Sequence, residues 1–301
     1  MKACAVSIDL DPIGHYYAIH GLKDPPPDLA CTAGLERFLE LSRKVPFKAT
    51  LFIVASELER NGFAELVREA ARAGHEIANH TLSHRYDLST MEPSEVKREI
   101  LEAHERIADI TGTPPRGFRA PGYNLSGEIM KTLAELNYLY DSSVFPSWPY
   151  YTAKVLIMGF GRIAGKKSRA ITGPLSSMIS PTGPYNPSTE HPYSRGASLI
   201  RELPISLSPV LRFPLIGTSF VLAGPVVSRF LYSAIGTTRL FNLEFHGIDF
   251  LGKDEVGLSL QGAGQPDANL ELDVKSSRIE SLFLRLKSRR FVTLAEAAQI
   301  Y

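Results

Sequence analysis

The stretch that organises the chain is residues 74–84, which read GHEIANHTLSH. A turn at Gly74 leads into a short strand pattern, and two histidines four residues apart follow, His80 and His84. That spacing allows both imidazoles to lie on one side of a helical turn or tight loop, where they suit a single divalent metal ion. The alternative is that two polar histidines merely lie on a surface loop, because this spacing is common by chance.

Outward from this stretch, short apolar strand patterns alternate with amphipathic helical patterns. This order is typical of parallel β/α units, and it predicts an α/β fold with an incomplete or distorted barrel. Strands are predicted at 3–8, 49–54, 138–141, 240–246 and 291–293, with a short strand and loop over 117–123, and helices at 32–44, 63–73, 94–111, 126–136, 276–289 and 294–299.

Polar residues recur just after the predicted strands. Because the carboxyl ends of parallel strands share one edge of the sheet, we expect these side chains to face one rim, where α/β enzymes build their active sites. The residues are Asp9, Asp11, His80, His84, Arg119, Asp141 and His246.

Composition sets broad limits on the class of protein. The 301 residues are 44% hydrophobic and 22% charged, which is ordinary for a globular chain and fits one large catalytic domain over 1–301. The net charge of +1 provides no general reason to expect a nucleic-acid partner. Cys4 and Cys31 form neither a disulfide framework nor a C-x-x-C site, and Cys4 is predicted to be a small buried hydrophobe.

The interval 146–239 breaks the alternating pattern and is predicted to be a Gly/Pro-rich insertion. Residues 142–189 and 203–243 contain no acidic side chain, whereas basic residues punctuate the apolar runs. Neither of its apolar runs, 155–160 and 220–227, approaches the ~20 residues needed to cross a bilayer. Such a segment suits contact with an anionic membrane surface or a lipid-linked substrate. The alternative is an extended loop packed on the barrel or at a dimer interface.

The remaining polar residues supply what a metal-assisted hydrolysis needs. One carboxylate of Asp9 and Asp11 would complete a His/His/Asp metal triad and the other would serve as general base, if a bend after the strand directs both inward. His246 is a candidate general acid, Arg119 a partner for the base, and Asp141 an orienting group for His246. Each of these residues alone has a plainer explanation as an ion pair, a cap or a core histidine.

Taken together, the motifs resemble those of the polysaccharide deacetylase family, also called carbohydrate esterase family 4. The resemblance covers residues 3–145 and 240–300. The motifs stand here as SIDLD at 7–11, NHTLSH at 79–84, FRAPGY at 118–123, YDSS at 140–143 and LEFHG at 243–247.

The resemblance implies a distorted (β/α)7 barrel, with the long irregular insertion as an addition, that binds zinc, with cobalt, nickel or manganese as alternatives. It implies Asp11, His80 and His84 as ligands. By the same resemblance Asp9 is the base held by Arg119, and His246 is the acid held by Asp141. A backbone N–H near Gly122 or Tyr123 would help to bind the oxyanion.

Two features depart from the family pattern. Leu10 separates aspartates that are usually adjacent, and Gly122 follows Pro121 where many members place an aromatic residue. Both look like the branch that contains cytoplasmic members. The apolar run at 3–8 is short for a signal peptide, so we expect a cytoplasmic protein, peripheral on the inner face of the membrane.

The sequence therefore predicts a metal-dependent amidase that removes an N-acyl group, most simply acetyl, from an amino sugar. The basic insertion favours a lipid-linked sugar or glycolipid over an exported polymer. One alternative is hydrolysis of a small cyclic amide or a formyl-amide on the same fold. Another, from a different class, is a sugar- or lipid-binding relative without turnover.

Overall fold

Eight short strands form one sheet, and every strand pairing in it is parallel. A computed structural model of the chain describes residues 2–152, 155 and 174–301. The strands follow the order β6-β5-β4-β3-β2-β1-β7, with β8 beside β1, and the sheet curls into a half-barrel surrounded by helices, which confirms the predicted fold. They are β1 (Ala3–Leu10), β2 (Thr50–Ile53), β3 (Glu76–Asn79), β4 (Gly117–Phe118), β5 (Tyr140–Asp141), β6 (Arg201–Glu202), β7 (Leu240–His246) and β8 (Arg290–Val292).

The first strand pairs with three other strands, β2, β7 and β8, and is buried along its whole length. One edge of β1 pairs with β7 from Ala3 to Asp9. The other edge is divided, since residues 3–5 pair with β8 and residues 7–10 pair with β2. A strand covered on both faces reads as a nearly continuous apolar run, which is why it could be recognised from sequence.

Helices cover the outside of the sheet. In α4, Val96, Ile100, Ala103 and Ile107 are buried at helical spacing, and Gly112 ends the helix in the left-handed conformation. The α-helices of the described residues are α1 (Ile13–Ile19), α2 (Leu35–Lys44), α3 (Phe63–Arg72), α4 (Pro93–Thr111), α5 (Gly127–Glu135), α6 (Leu175–Ile179), α7 (Gly217–Leu222), α8 (Pro225–Ile235), α9 (Leu258–Gln261), α10 (Leu272–Leu286) and α11 (Leu294–Ile300). None of them is long and apolar enough to cross a membrane.

The structure differs from the sequence prediction in several places, and three helices, α6, α7 and α8, lie in the interval 146–239 that was predicted to be irregular. Helix α1 lies in a stretch predicted to be loop, because it is only seven residues long and has no side-chain cap. Strand β6 lies inside the interval 146–239, yet it pairs with β5 as part of the sheet. Two residues are too few to show a strand period. Lys154 and most of the apolar run 155–160, with the bases that follow it, lie outside the described residues.

Candidate active site

The predicted polar residues gather at the carboxyl ends of the strands. Asp9 lies near the end of β1 and Asp11 one residue beyond it, while His80 follows β3, Arg119 follows β4 and His246 ends β7. No bend is needed to bring the two aspartates together, contrary to the expectation from sequence. Side chains two residues apart in extended chain point to the same face.

The loop after β3 is held by its own side chains. The Asn79 Oδ1 atom accepts from the Thr81 N–H (2.7 Å), and the Thr81 hydroxyl oxygen accepts from the His84 N–H (3.0 Å). Glu99 on α4 accepts from both the backbone N–H and the hydroxyl of Ser83. Thr81 and His84 have φ values of +69° and +54°, a backbone strain that tends to be kept at functional sites. The loop is therefore fixed before any ligand arrives.

Asp11, His80 and His84 form a compact triad of buried metal-ligand atoms, all within 4.8 Å of one another. The Nε2 atoms of both histidines lie 3.2 Å from Asp11 Oδ1, although this oxygen has no hydrogen-bond partner. The His80 Nδ1–H donates to the carbonyl of Arg119 (2.7 Å), which leaves the Nε2 lone pair directed at the triad.

The charges of the triad favour a cation. Burial alone would raise the pKa of Asp11, but the rings of His84 and His80 hold it well below its usual range. Burial alone would lower the pKa of His80, but Asp11 and Asp9 raise it. An orphaned buried carboxylate oxygen between two imidazole nitrogens fits a borderline divalent ion such as zinc.

Arg119 holds Asp9 in a buried ion pair. Its Nη1 atom donates to Asp9 Oδ1 (2.5 Å), its Nε atom donates to the carbonyl of Ser142 (2.8 Å), and its guanidinium lies 4.1 Å from the Phe52 ring centroid. Asp9 Oδ2 lies 3.8 Å from His80 Nε2. One oxygen of Asp9 is thus fixed by Arg119 while the other faces the triad, which is the arrangement that a general base for water requires.

Glu244 is a site residue that sequence reasoning missed. It lies on the same face of β7 as His246 and forms a second cluster with Asp9 and His246, whose ligand-type atoms lie within 4.8 Å of one another. The Tyr123 hydroxyl donates to its Oε2 atom (3.2 Å), and its Oε1 atom lies 3.4 Å from Arg119 Nη1. The signal in the sequence was a polar residue at every second position of an apolar strand, 242, 244 and 246.

This cluster shifts the pKa values of its two residues on β7, Glu244 and His246. Burial and the charge of Asp9, opposed by Arg119, raise the pKa of Glu244 to about 7. Burial alone would lower the pKa of His246, but Glu244, Asp11 and Asp9 raise it to about 9. His246 is therefore protonated near neutral pH, as a general acid must be. Its backbone N–H donates to Asp249 (2.9 Å).

Asp141 is not placed against His246 as the resemblance implied. Its carboxylate accepts from the Ser143 hydroxyl (2.6 Å), and it is the register partner of Glu202 on β6. Burial and the charge of Asp141 raise the pKa of Glu202 well above its usual range, so the two carboxyl groups share a proton. Glu244 takes the position beside His246 instead.

Of the two backbone N–H groups predicted to bind the oxyanion, one already donates to an acceptor within the protein. The Tyr123 N–H donates to the carbonyl of Ala120 (3.1 Å), which leaves the Gly122 N–H as the candidate of the two. Gly122 and Tyr123 both have positive φ, and a Cβ at Gly122 would lie 2.8 Å from the ring of Tyr86. The close approach explains why glycine occupies this position in place of an aromatic residue.

Aromatic rings border the site on two sides. The His15 ring on α1 lies 4.5 Å from the His84 ring centroid, and Tyr86 lies 5.0 Å from it on an edge. On the other side, Tyr123 contacts Phe145 and Tyr150, with ring centroids 5.1 and 5.9 Å away. Neither His15 nor Tyr86 is predicted from the sequence; His15 lies on helix α1, a stretch predicted to be loop.

Comparison with known proteins shows which sequences and folds the chain is similar to. Residues 24–140 match the sequence model of the family described as polysaccharide deacetylase. The peptidoglycan deacetylase of Helicobacter pylori is 29% identical over 154 residues, 49% of this chain and 52% of that protein. The chitooligosaccharide deacetylase of a Bradyrhizobium species is 35% identical over 113 residues, 37% of this chain and 49% of that protein. The chain spans about half the length of the curated relatives it matches.

The likeness of fold extends much further along the chain. A crystal structure of a candidate polysaccharide deacetylase from Mycobacterium smegmatis aligns over 99% of this chain and 90% of that chain, with a TM-score of 0.60 at 17% identity. At that identity the likeness concerns the fold alone. Residues 24–140 are therefore similar in sequence to the polysaccharide deacetylase family, and the chain is similar in fold to this crystal structure.

Proposed function

We propose that this protein is a metal-dependent hydrolase that removes an N-acyl group, most simply acetyl, from an amino sugar. The observation that carries the proposal is the adjacency of two clusters: the triad of Asp11, His80 and His84, and the Asp9–Arg119 pair, whose Asp9 Oδ2 atom lies 3.8 Å from His80 Nε2. The two relatives named as peptidoglycan and chitooligosaccharide deacetylases support the same reaction class.

The residues divide the hydrolysis between them. A divalent ion held by Asp11, His80 and His84, which we propose to be zinc, would supply Lewis-acid chemistry that makes water more acidic and polarises the acyl carbonyl. Asp9 takes the proton from the attacking water, and Arg119 keeps its carboxylate oriented. The new C–O bond forms at the acyl carbon, and the C–N bond then breaks. His246 protonates the departing amine, so the products are a free amino sugar and a carboxylic acid.

We further propose a lipid-linked sugar or glycolipid as substrate and a peripheral position on the inner face of the membrane. Support comes from the lack of acidic residues in 142–189 and 203–243 and from the apolar side chains exposed there. Cell fractionation of the full chain, with and without a high-salt wash, tests the location.

A release assay tests the reaction itself. The zinc-loaded protein is incubated with a panel of N-acetylated and N-formylated amino sugars, free and lipid-linked, together with a small cyclic amide, and released acetate or formate is measured. We expect acetate from at least one amino sugar and none with the Asp9→Asn variant. Ring opening of the cyclic amide alone would replace the proposal with the small-substrate alternative. Saturable sugar binding without any release would replace it with a non-catalytic binder.

A further inference from the structure

One exposed apolar part of the described residues is built around a hairpin at residues 207–214. Leu207 and Pro214 form an antiparallel bridge, and the Ser208 N–H donates to the Phe213 carbonyl (2.8 Å), which closes the hairpin. Val210 and Leu211 lie at its tip, and Val210 is 88% exposed. A well-closed turn that presents two aliphatic residues to solvent has no role in the core of this chain.

Helix α6 presents a second pair of aliphatic residues. Leu175 and Ile179 are four residues apart, so they lie on one face of the helix, and they are 78% and 80% exposed. Arg212 joins this helix to the hairpin, since its Nη1 atom donates to the carbonyls of Met178 (2.5 Å) and Ser180 (3.3 Å).

The same arginine brings in the segment after β5. The Arg212 Nη1 atom lies 3.4 Å from the Pro146 carbonyl, and the Ser147 hydroxyl donates to the backbone carbonyl of Arg212 (2.9 Å). Trp148 follows directly and is exposed. The hairpin, α6 and this segment are thus tied together as one surface. We call it the docking face, and it comprises Trp148, Leu175, Ile179, Val210, Leu211 and Phe213.

The docking face adjoins the proposed active site through packed side chains. Leu207 at the base of the hairpin belongs to the same buried cluster as Tyr123 and Phe145. The Tyr123 hydroxyl in turn donates to Glu244 beside His246. A substrate that extends along these rings from the catalytic rim would reach the exposed apolar residues.

The net charge of the sequence around the docking face indicates which kind of partner covers it. Residues 142–243 contain ten basic and two acidic side chains, a net charge of +8, whereas the whole chain has a net charge of only +1. The rest of the molecule is therefore acidic. Among the described residues of this interval five side chains are basic and two are acidic, so a second copy of the chain would place two positive segments against each other, which disfavours self-association through this face. An anionic lipid surface complements both the charge and the apolar side chains.

We propose that the docking face inserts Val210, Leu211, Leu175 and Ile179 into the interface of an anionic phospholipid bilayer and thereby holds the catalytic rim over a lipid-anchored substrate. This inference rests on the proposed function for the identity of that substrate, but the docking itself is independent of catalysis. Arg212 acts inside the face, where it holds the hairpin on α6.

Vesicle co-sedimentation of the full chain tests the docking. Vesicles of phosphatidylcholine with and without phosphatidylglycerol are compared at low and high salt, for the unmodified protein and a Val210→Ser/Leu211→Ser variant. The matched control is Leu258→Ser, which removes an aliphatic side chain that is 84% exposed outside this region. We expect binding to anionic vesicles only, weakened by salt, at least about tenfold weaker in the hairpin variant and unchanged in the control.

Two results would overturn the proposal. Equal binding of the hairpin variant and the unmodified protein excludes the docking face as the contact. Absence of vesicle binding, together with a dimer in light scattering that the hairpin variant dissociates, assigns the face to a second copy instead. Acetate release from a soluble N-acetylated sugar is measured in parallel. Release without vesicle binding refutes docking alone, and vesicle binding without release from any sugar refutes the proposed function alone.

Discussion

Replacing Glu244 by glutamine should shift the alkaline limb of the pH–rate profile to lower pH. The carboxylate of Glu244 raises the pKa of His246 to about 9, so His246 keeps the proton it donates up to about that pH. Glutamine preserves the size of the side chain and removes the negative charge. His246 then loses its proton at a lower pH, and the general acid is absent over a wider alkaline range.

The magnitude follows from the separation of the two groups. A unit charge within 4.8 Å of the imidazole interacts by about 3.5 kcal/mol at an effective dielectric constant of about 20, equivalent to about 2.5 pH units. His246 is partly exposed, so solvent screening reduces the effect, and we expect a shift of about one to two units.

The assay is kcat/KM for acetate release between about pH 6 and 10. The matched control is Glu202→Gln, the same chemical change in a buried carboxyl that shares its proton with Asp141, and it should leave the limb in place. An alkaline limb that does not move in Glu244→Gln would refute the role of Glu244 beside His246. An equal shift in both variants would show a general effect of charge removal.

Three further changes test the ligand set, the base and the packing below the site. His84→Ala should abolish stoichiometric zinc after dialysis, measured by elemental analysis, and full zinc content would remove this residue from the ligand set. Asp9→Asn should retain zinc while lowering kcat by about 10²–10⁴-fold, and preserved turnover would contradict its role as base. Gly217→Ala should lower the free energy of unfolding in urea by about 1–3 kcal/mol, because its Cβ would lie 2.1 Å from the Phe245 ring. Unchanged stability would mean that this contact relaxes freely.

Strands with a continuous apolar run and helices with apolar residues at regular helical spacing can be predicted from the sequence. Strand β1 is a continuous buried run, and α4 has apolar residues at helical spacing with Gly112 at its end, so both were predicted within two residues. The short elements α1 and β6 carry too few residues for a period to emerge, and tertiary contacts decide their structure.

Within the candidate site, residue types were easier to predict than partnerships. Asp11, His80 and His84 come together because each follows a strand at the same edge of the sheet. The side chain that lies beside Asp141 is decided by the register between β5 and β6, and the sequence does not reveal that register. Glu202 is its direct neighbour across β5 and β6 and accepts the shared proton. By the same rule Asp9 and His246 are register partners, which brings Glu244 into the site.

The divided edge of β1 has a consequence for how the chain acquires its structure during synthesis. Residues 3–5 need β7 and β8 on their two sides, and these partners begin at Leu240 and Arg290. At a synthesis rate of about 5–20 residues per second, the amino-terminal strand waits on the order of ten seconds to a minute for its neighbours. Throughout that interval an apolar strand has an unpaired edge, so the nascent chain is prone to aggregate until its last fifth is made.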